Sequence, residues 1–134
     1  MKAMKIGHIG IAVNKIDEVL PFYREGLGLT EIHFEEVPSQ KVRVAVCPLG
    51  ESRLELVEAT SPDSPIAAFL AKRGPGIHHI ALEVEKIEPM IEQLKAKGYR
   101  LIDEVPRIGA EGKKIAFIHP QSSSGVLIEL SQTR

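Results

Sequence analysis

Two histidines and two glutamates in this sequence are suited to act together in chemistry. His8 and His79 lie in the similar segments GHIGIAV (7–13) and HHIALEV (78–84). Further along each of these two regions, Glu55 and Glu129 are each followed directly by a leucine. Imidazole nitrogen and carboxylate oxygen together suit a divalent first-row metal such as cobalt, nickel, manganese, iron or zinc. A metal bound in this way can polarise a carbonyl group and stabilise an enolate, while a neighbouring carboxylate moves a proton on carbon.

These four residues belong to an internal repeat. At an offset of 71 residues, segment 7–13 falls on 78–84. The same offset places further apolar residues on one another, namely Ile16, Val19, Leu20 and Tyr23 on Ile87, Met90, Ile91 and Leu94, and Val44-Ala45-Val46 on Ile115-Ala116-Phe117. After an insertion of three residues, Glu55 falls on Glu129. A repeat at this spacing indicates two copies of one structural module.

Each copy has the pattern of one strand, one helix and three further strands. Alternating apolar residues in segment 7–13 predict a half-buried strand, and the helical spacing of apolar residues from Ile16 predicts a helix that Asn14 caps. In the second copy we expect a helix over 87–97 and strands over 77–84, 100–104, 113–119 and 125–130. The sequence therefore predicts an α+β fold, in which two tandem βαβββ modules form a curled mixed sheet around a shared cavity.

A short helix is predicted to join the two copies within a single domain of residues 1–134. Ser64 is a good N-cap, Pro65 suits the first helical position, and Gly74 suits the end of the helix. The first module then covers about residues 4–58, the connector residues 61–74, and the second module about residues 76–131.

Strand alternation places the four candidate residues on one side of their strands. His8 and His79 alternate with apolar neighbours that are expected to face the helices, and so do Glu55 and Glu129. We expect two imidazoles and two carboxylates to converge in the shared cavity. Burying two carboxylates without a cation would be unfavourable, which favours a metal site.

Composition excludes several classes of function. With 17 Lys and Arg against 18 Asp and Glu, the chain has no basic excess with which to hold nucleic acid. No apolar run approaches the roughly 20 residues that a membrane helix needs, and the N-terminus has no apolar signal core. The single cysteine excludes an internal disulfide. We expect a cytoplasmic protein that acts on a small molecule.

The other candidate residues favour structural roles. His78 is expected to face the helix side, His33 to be exposed, His119 to lie in a turn, and Cys47 to be a small core residue. Lys113 and Lys114 follow a glycine-containing loop. They form either a solvated strand end or a contact to an anionic group of a ligand.

The chain resembles the vicinal oxygen chelate superfamily, which includes glyoxalase I, and within it the methylmalonyl-CoA epimerase family. The matching stretches include GHIGIAV (7–13), SPDSPIA (61–67), GIHHIA (76–81), FIHP (117–120) and GVLIEL (125–130). The resemblance implies the metal ligands His8, Glu55, His79 and Glu129, with cobalt expected first and nickel, manganese or zinc as alternatives. It also implies epimerisation of (R)- and (S)-methylmalonyl-CoA, an acyl-CoA substrate and a homodimer. Our own hypothesis is that Glu129 and Glu55, at equivalent positions of the two repeats, move the protons on the two faces of the enolate.

One departure from the family pattern keeps other functions open. Some members carry a second acid/base glutamate on the third strand, where this chain has Val44, and a glutamine where it has Glu55. A set of two histidines and two glutamates is also that of glyoxalase I. The alternatives are therefore a glutathione-dependent lactoylglutathione lyase and, since related resistance proteins bind small molecules without catalysis, a binding module.

Overall fold

A computed structural model describes residues 1–133, which form two compact units. The first unit comprises residues 8–78, and the second comprises residues 1–7 together with 79–133. The strands are β1 (Lys5–Ala12), β2 (His33–Val37), β3 (Val42–Leu49), β4 (Ser52–Ala59), β5 (Gly76–Val84), β6 (Arg107–Ile108), β7 (Lys114–Ile118) and β8 (Ile128–Gln132). The α-helices are α1 (Ile16–Pro21), α2 (Pro65–Arg73) and α3 (Ile87–Ala96); a π-helical turn, Phe22–Gly26, extends α1, and single 3₁₀ turns cover Pro38–Gln40 and Ala110–Gly112. None of the helices within residues 1–133 combines the length and apolar character needed to cross a bilayer.

The strand order confirms the predicted βαβββ pattern in each unit. The first unit has the order β2-β3-β4-β1, and the second has β5-β8-β7-β6. In each, the first strand pairs in parallel with the last, and the remaining pairs are antiparallel. Gly10 lies opposite Glu55 in the first unit, and Ala81 lies opposite Glu129 in the second. The registers therefore agree with the repeat, including its three-residue insertion.

The two apolar cores correspond residue by residue. Each core lies between the unit's helix and the helix-facing side of its strands. The first core is built on Val13, Ile16, Leu20, Ala45 and Leu56, and the second on Val84, Ile87, Ile91, Ala116 and Leu130. Because these residues alternate with the candidate ligands along the strands, the predicted division of each strand into two faces is confirmed.

The predicted cap of the first helix is wrong. Lys15, not Asn14, is the N-cap residue, and its side chain makes no capping hydrogen bond. The Ile16 N–H instead donates to Glu58 Oε1 on β4, at 2.7 Å. In the second unit, the Ile87 N–H donates to Gln132 Oε1 on β8, at 2.9 Å. Both helices are therefore capped from the last strand of their module, which satisfies the same unpaired donor by a long-range contact.

The strand predicted over residues 100–104 is also wrong. Only Leu101 forms a bridge there, opposite Ile118, and the edge strand β6 begins at Arg107. The carboxylate of Asp103 accepts the Phe117 N–H at 2.9 Å, so a side chain takes the place of a ladder carbonyl. This side-chain bond shifts the edge strand toward the C-terminus.

The connector helix has the ends that the sequence predicts. Ser64 Oγ accepts the Ile66 N–H at 3.2 Å and lies 3.2 Å from the Gln40 carbonyl, to which it donates. Pro65 opens α2, and Gly74 ends it with φ at 75°. Ser64 is 1% exposed, so both partners depend on one buried hydroxyl.

Replacing Ser64 with alanine is expected to lower the free energy of unfolding by about 1–2 kcal/mol, since the helix loses its cap and the partly buried Gln40 carbonyl loses its donor. Urea denaturation followed by circular dichroism measures this loss. Thr30→Ala removes an exposed hydroxyl from the same unit and should change the value by less than about 0.5 kcal/mol. Equal effects of the two substitutions would contradict the assigned role of Ser64.

Candidate metal centre

The first unit contains a buried pair formed by His8 and Glu55. His8 lies on β1 and Glu55 on β4, and because Gly10 is the residue opposite Glu55, the two side chains share one face of the strands. His8 Nδ1 lies 3.2 Å from Glu55 Oε2, and each side chain is 4% exposed. The parallel pairing of first and last strands thus brings together residues 47 positions apart in sequence.

Arg53 completes this pair with a positive charge. It lies directly opposite His8 and two residues before Glu55 on β4. Its Nη2 lies 3.2 Å from His8 Nδ1, and its Nε donates to Glu55 Oε2 at 3.4 Å. The Arg53 side chain is only 15% exposed. A guanidinium therefore lies among the polar atoms of the candidate ligands.

The second unit contains the equivalent pair, His79 and Glu129. His79 Nε2 lies 3.2 Å from Glu129 Oε1, and the side chains are 5% and 6% exposed. The Phe117 ring packs edge-on against the His79 ring with centroids 5.7 Å apart, and Phe117 lies directly opposite Glu129. The repeat equivalent of Arg53 is Leu127, so this unit has an apolar residue where the first has a cation.

The structure thus brings His8 to Glu55 and His79 to Glu129. Each pair offers one imidazole nitrogen and one carboxylate oxygen, which is a donor set suited to cobalt, nickel, manganese or zinc. Carboxylates this deeply buried are stable only with a compensating positive charge or hydrogen bonds. A divalent cation would supply that charge.

Other residues take the structural roles expected of them. Cys47 is fully buried, and burial raises the pKa of its thiol, which disfavours the reactive thiolate. His78 is half-buried and packs edge-on against Phe69 of α2, with ring centroids 5.0 Å apart. His33 is exposed beside Glu31.

His119 and Lys114 of the second unit also make structural contacts. His119 Nδ1 accepts the Gln121 N–H at 3.0 Å within a turn, as expected. Lys114 Nζ donates to Glu88 Oε2 on α3 at 2.8 Å, and both side chains are about half exposed, which favours a solvated strand end.

Val44 occupies the position at which some family members carry a glutamate. It is 3% exposed and lies opposite Val57 on β4 and Glu35 on β2. Val46, two residues on, lies opposite Glu55, so Val44 and Glu55 share one face of neighbouring strands.

Sequence reasoning missed Arg53. Strand alternation was enough to find it, because a residue two positions before Glu55 must share its face. The repeat gives no signal for Arg53, since its equivalent is Leu127.

The family model of the glyoxalase/bleomycin resistance protein/dioxygenase superfamily matches residues 7–117 of this chain. The protein YqjC of Bacillus subtilis is 45% identical over 97% of this chain and 93% of its own length. The human mitochondrial methylmalonyl-CoA epimerase is 38% identical over 96% of this chain and 73% of its own length. A variant of the Streptomyces coelicolor methylmalonyl-CoA epimerase, solved with 2-nitronate-propionyl-CoA, is 37% identical; the match has a TM-score of 0.94 and covers 98% of this chain and 96% of the other. The fold is therefore the mixed α+β, glyoxalase-like fold predicted from the sequence.

A lactoylglutathione lyase of Arabidopsis thaliana is more distant. It is 23% identical over 93% of this chain, which spans 43% of its length. The similarity therefore favours the epimerases over the lyases.

Proposed function

Because this chain belongs to the methylmalonyl-CoA epimerase family of the glyoxalase superfamily, we propose that it interconverts (R)- and (S)-methylmalonyl-CoA with a bound divalent metal. The observation that carries the proposal is the pair of buried histidine–glutamate contacts at equivalent positions of the two repeats. The epimerase relatives support the reaction class, and these two contacts offer the imidazole and carboxylate groups that such a reaction could use.

The proposed metal ligands are His8, Glu55, His79 and Glu129. Their nitrogen and oxygen donors fit cobalt, which we propose as the resident metal, and also nickel, manganese and zinc. When bound, the metal would supply a Lewis acid for the oxygen atoms of a malonyl-type acyl group. The protein contributes a dry surrounding, since the four side chains are between 4% and 6% exposed.

Proton transfer falls to the two carboxylates. Epimerisation removes the α-proton from one face of the acyl group and returns a proton to the other face, so two groups or one mobile group must exchange protons. Glu55 and Glu129 come from equivalent positions of the two repeats, and we assign one face to each. Val44 is apolar and cannot take either role.

The test is exchange of the α-proton in deuterated water. Purified without chelator, the protein should contain a divalent metal, and it should introduce deuterium into methylmalonyl-CoA while interconverting its two stereoisomers. Mass spectrometry and analysis of configuration follow both events. Exchange no faster than in a protein-free control would refute the proposal.

A lactoylglutathione lyase is the second candidate. The set of two histidines and two glutamates favours it, because this set is also that of glyoxalase I, whereas some epimerases carry a glutamine in place of Glu55. Methylglyoxal with glutathione is the substrate that tests it. Turnover of that mixture together with no exchange on methylmalonyl-CoA would replace the first proposal. A non-catalytic binding module would show neither reaction.

The assembly and location complete the proposal. We propose a homodimer that acts in the cytoplasm, in line with the expectation from the sequence. Sedimentation equilibrium of the metal-loaded protein measures the mass, for which twice 14.7 kDa is expected. A monomer at micromolar concentration would contradict the dimer and leave the assigned chemistry unchanged.

A further inference from the structure

We propose that Arg53 is a specificity-determining residue that binds the free carboxylate of the acyl group. The inference rests on the proposed function, since it concerns the substrate of the same site. It predicts that the protein prefers acyl-CoA esters with a second, ionised carboxyl group to neutral acyl-CoA esters of similar size.

The position of Arg53 carries the first step of the argument. Its guanidinium contacts both members of the His8–Glu55 pair, at 3.2 and 3.4 Å, on the strand face that carries these side chains. A group that binds beside this pair is therefore within reach of the guanidinium. At 15% exposure the side chain is held in a poorly hydrated setting, where a charge-assisted hydrogen bond to a carboxylate is strong.

Charge balance carries the second step. Without a metal, Arg53 offsets the charge of the buried Glu55 carboxylate. A divalent cation bound by Glu55 would share that carboxylate, so Glu55 would hold the guanidinium less strongly and leave more of its N–H donors for a ligand. An anionic group of the substrate is a suitable acceptor for these donors. Binding of the carboxylate should therefore depend on the metal as well as on Arg53.

The difference between the two repeats carries the third step. Leu127 stands at the equivalent position in the second unit, so this particular cation is present in the first unit alone. Methylmalonyl-CoA is likewise unsymmetrical, with a carboxylate at one end of the acyl group and a thioester at the other. Arg53 contacts the His8–Glu55 pair directly, whereas the guanidinium of Arg107 in the second unit lies over the Phe117 ring and pairs with Asp103. The two ends of the acyl group would therefore have different partners, which fixes its orientation.

The experiment compares two ligands on three variants. Methylmalonyl-CoA and propionyl-CoA differ by the carboxylate, and their affinities for cobalt-loaded protein are measured by isothermal titration calorimetry. In Arg53→Leu, which introduces the side chain found at Leu127, the preference for methylmalonyl-CoA should fall by about 10–100-fold. Arg53→Lys keeps the charge without the planar fork and should retain part of the preference.

Arg43→Leu is the matched control. Arg43 lies on the neighbouring strand β3, and its guanidinium is 5.0 Å from the Phe34 ring centroid. It shares a face with Ala45 of the core, on the other side of β3 from Val46, the residue opposite Glu55. This variant should keep the wild-type preference. Circular dichroism and the cobalt content of each variant confirm that fold and metal are intact before the affinities are compared.

Two results would overturn the inference. If Arg53→Leu binds both esters with the wild-type preference, Arg53 does not read the carboxylate. If instead the variant loses affinity for both esters equally, or loses its cobalt, Arg53 acts by supporting Glu55 and His8. The exchange assay on the wild-type protein tests the proposed function separately. If the wild-type protein exchanges the α-proton of methylmalonyl-CoA, the proposed function holds whatever the Arg53 variants show.

Discussion

Replacing His8 with alanine is expected to remove the bound metal and the epimerase activity together. The substitution deletes one proposed nitrogen ligand and leaves Glu55 with Arg53 as a charge partner, so the remaining carboxylate is drawn toward the guanidinium. We expect metal affinity and the exchange rate to fall by more than about 100-fold each. Elemental analysis after gel filtration gives the metal content, and deuterium incorporation gives the rate.

The control for this variant is His33→Ala. His33 is a histidine of the same unit, but it is 62% exposed and lies beside Glu31 on the surface. It should keep both metal and activity. His79→Ala removes the equivalent ligand of the second repeat and should reproduce the double loss. A His8→Ala protein that is folded and still turns over methylmalonyl-CoA at the wild-type rate would refute the ligand assignment.

The repeated pattern explains why so much of the fold could be predicted. Apolar residues at strand and helix spacing define which face of each element is buried, and both copies place equivalent residues in their cores. The same alternation predicts that His8, Glu55, His79 and Glu129 lie on the strand faces away from the helices, because face is decided by parity along the strand. Their pairing depends also on the strand order, which places β1 beside β4 and β5 beside β8. The predicted shared cavity and the single domain remain predictions.

The errors came from contacts between residues distant in sequence. Asn14 has the chemistry of a cap, but Glu58 reaches the same N–H from another strand, which local sequence cannot show. The Asp103 carboxylate similarly replaces a ladder bond to Phe117 and displaces the edge strand. Arg53 has no counterpart in the second repeat, where Leu127 stands, so the repeat does not single it out.

Val44 and Glu55 bear on which groups transfer protons at the two faces of the acyl group. In some family members a glutamate and a glutamine occupy these positions, whereas this chain has the carboxylate at Glu55 and an apolar residue at Val44. The two positions share one face of β3 and β4, in neighbouring rows. A single carboxylate on this face therefore suffices if it can both bind the metal and transfer the proton.

Substituting the glutamates one at a time is expected to separate exchange from inversion. Glutamine keeps an oxygen ligand but cannot accept a proton, so metal should be retained while interconversion falls by about 100- to 10,000-fold. In Glu55→Gln, Glu129 remains and should exchange the α-proton of one stereoisomer with retention of configuration. In Glu129→Gln, the other stereoisomer should exchange. Each variant is given one pure stereoisomer at a time in deuterated water, and deuterium and configuration are measured separately.

The decisive companion is the double variant Val44→Glu, Glu55→Gln. It restores a carboxylate on the same face of the strands, one row away, and so reproduces the arrangement of the glutamine-containing members. Interconversion should rise at least about tenfold above that of Glu55→Gln, because both faces are again served. Val44→Glu alone is the control for the stability lost by placing a carboxylate at a position that is 3% exposed. If both single glutamine variants exchange the same stereoisomer, the assignment of one face to each glutamate is wrong.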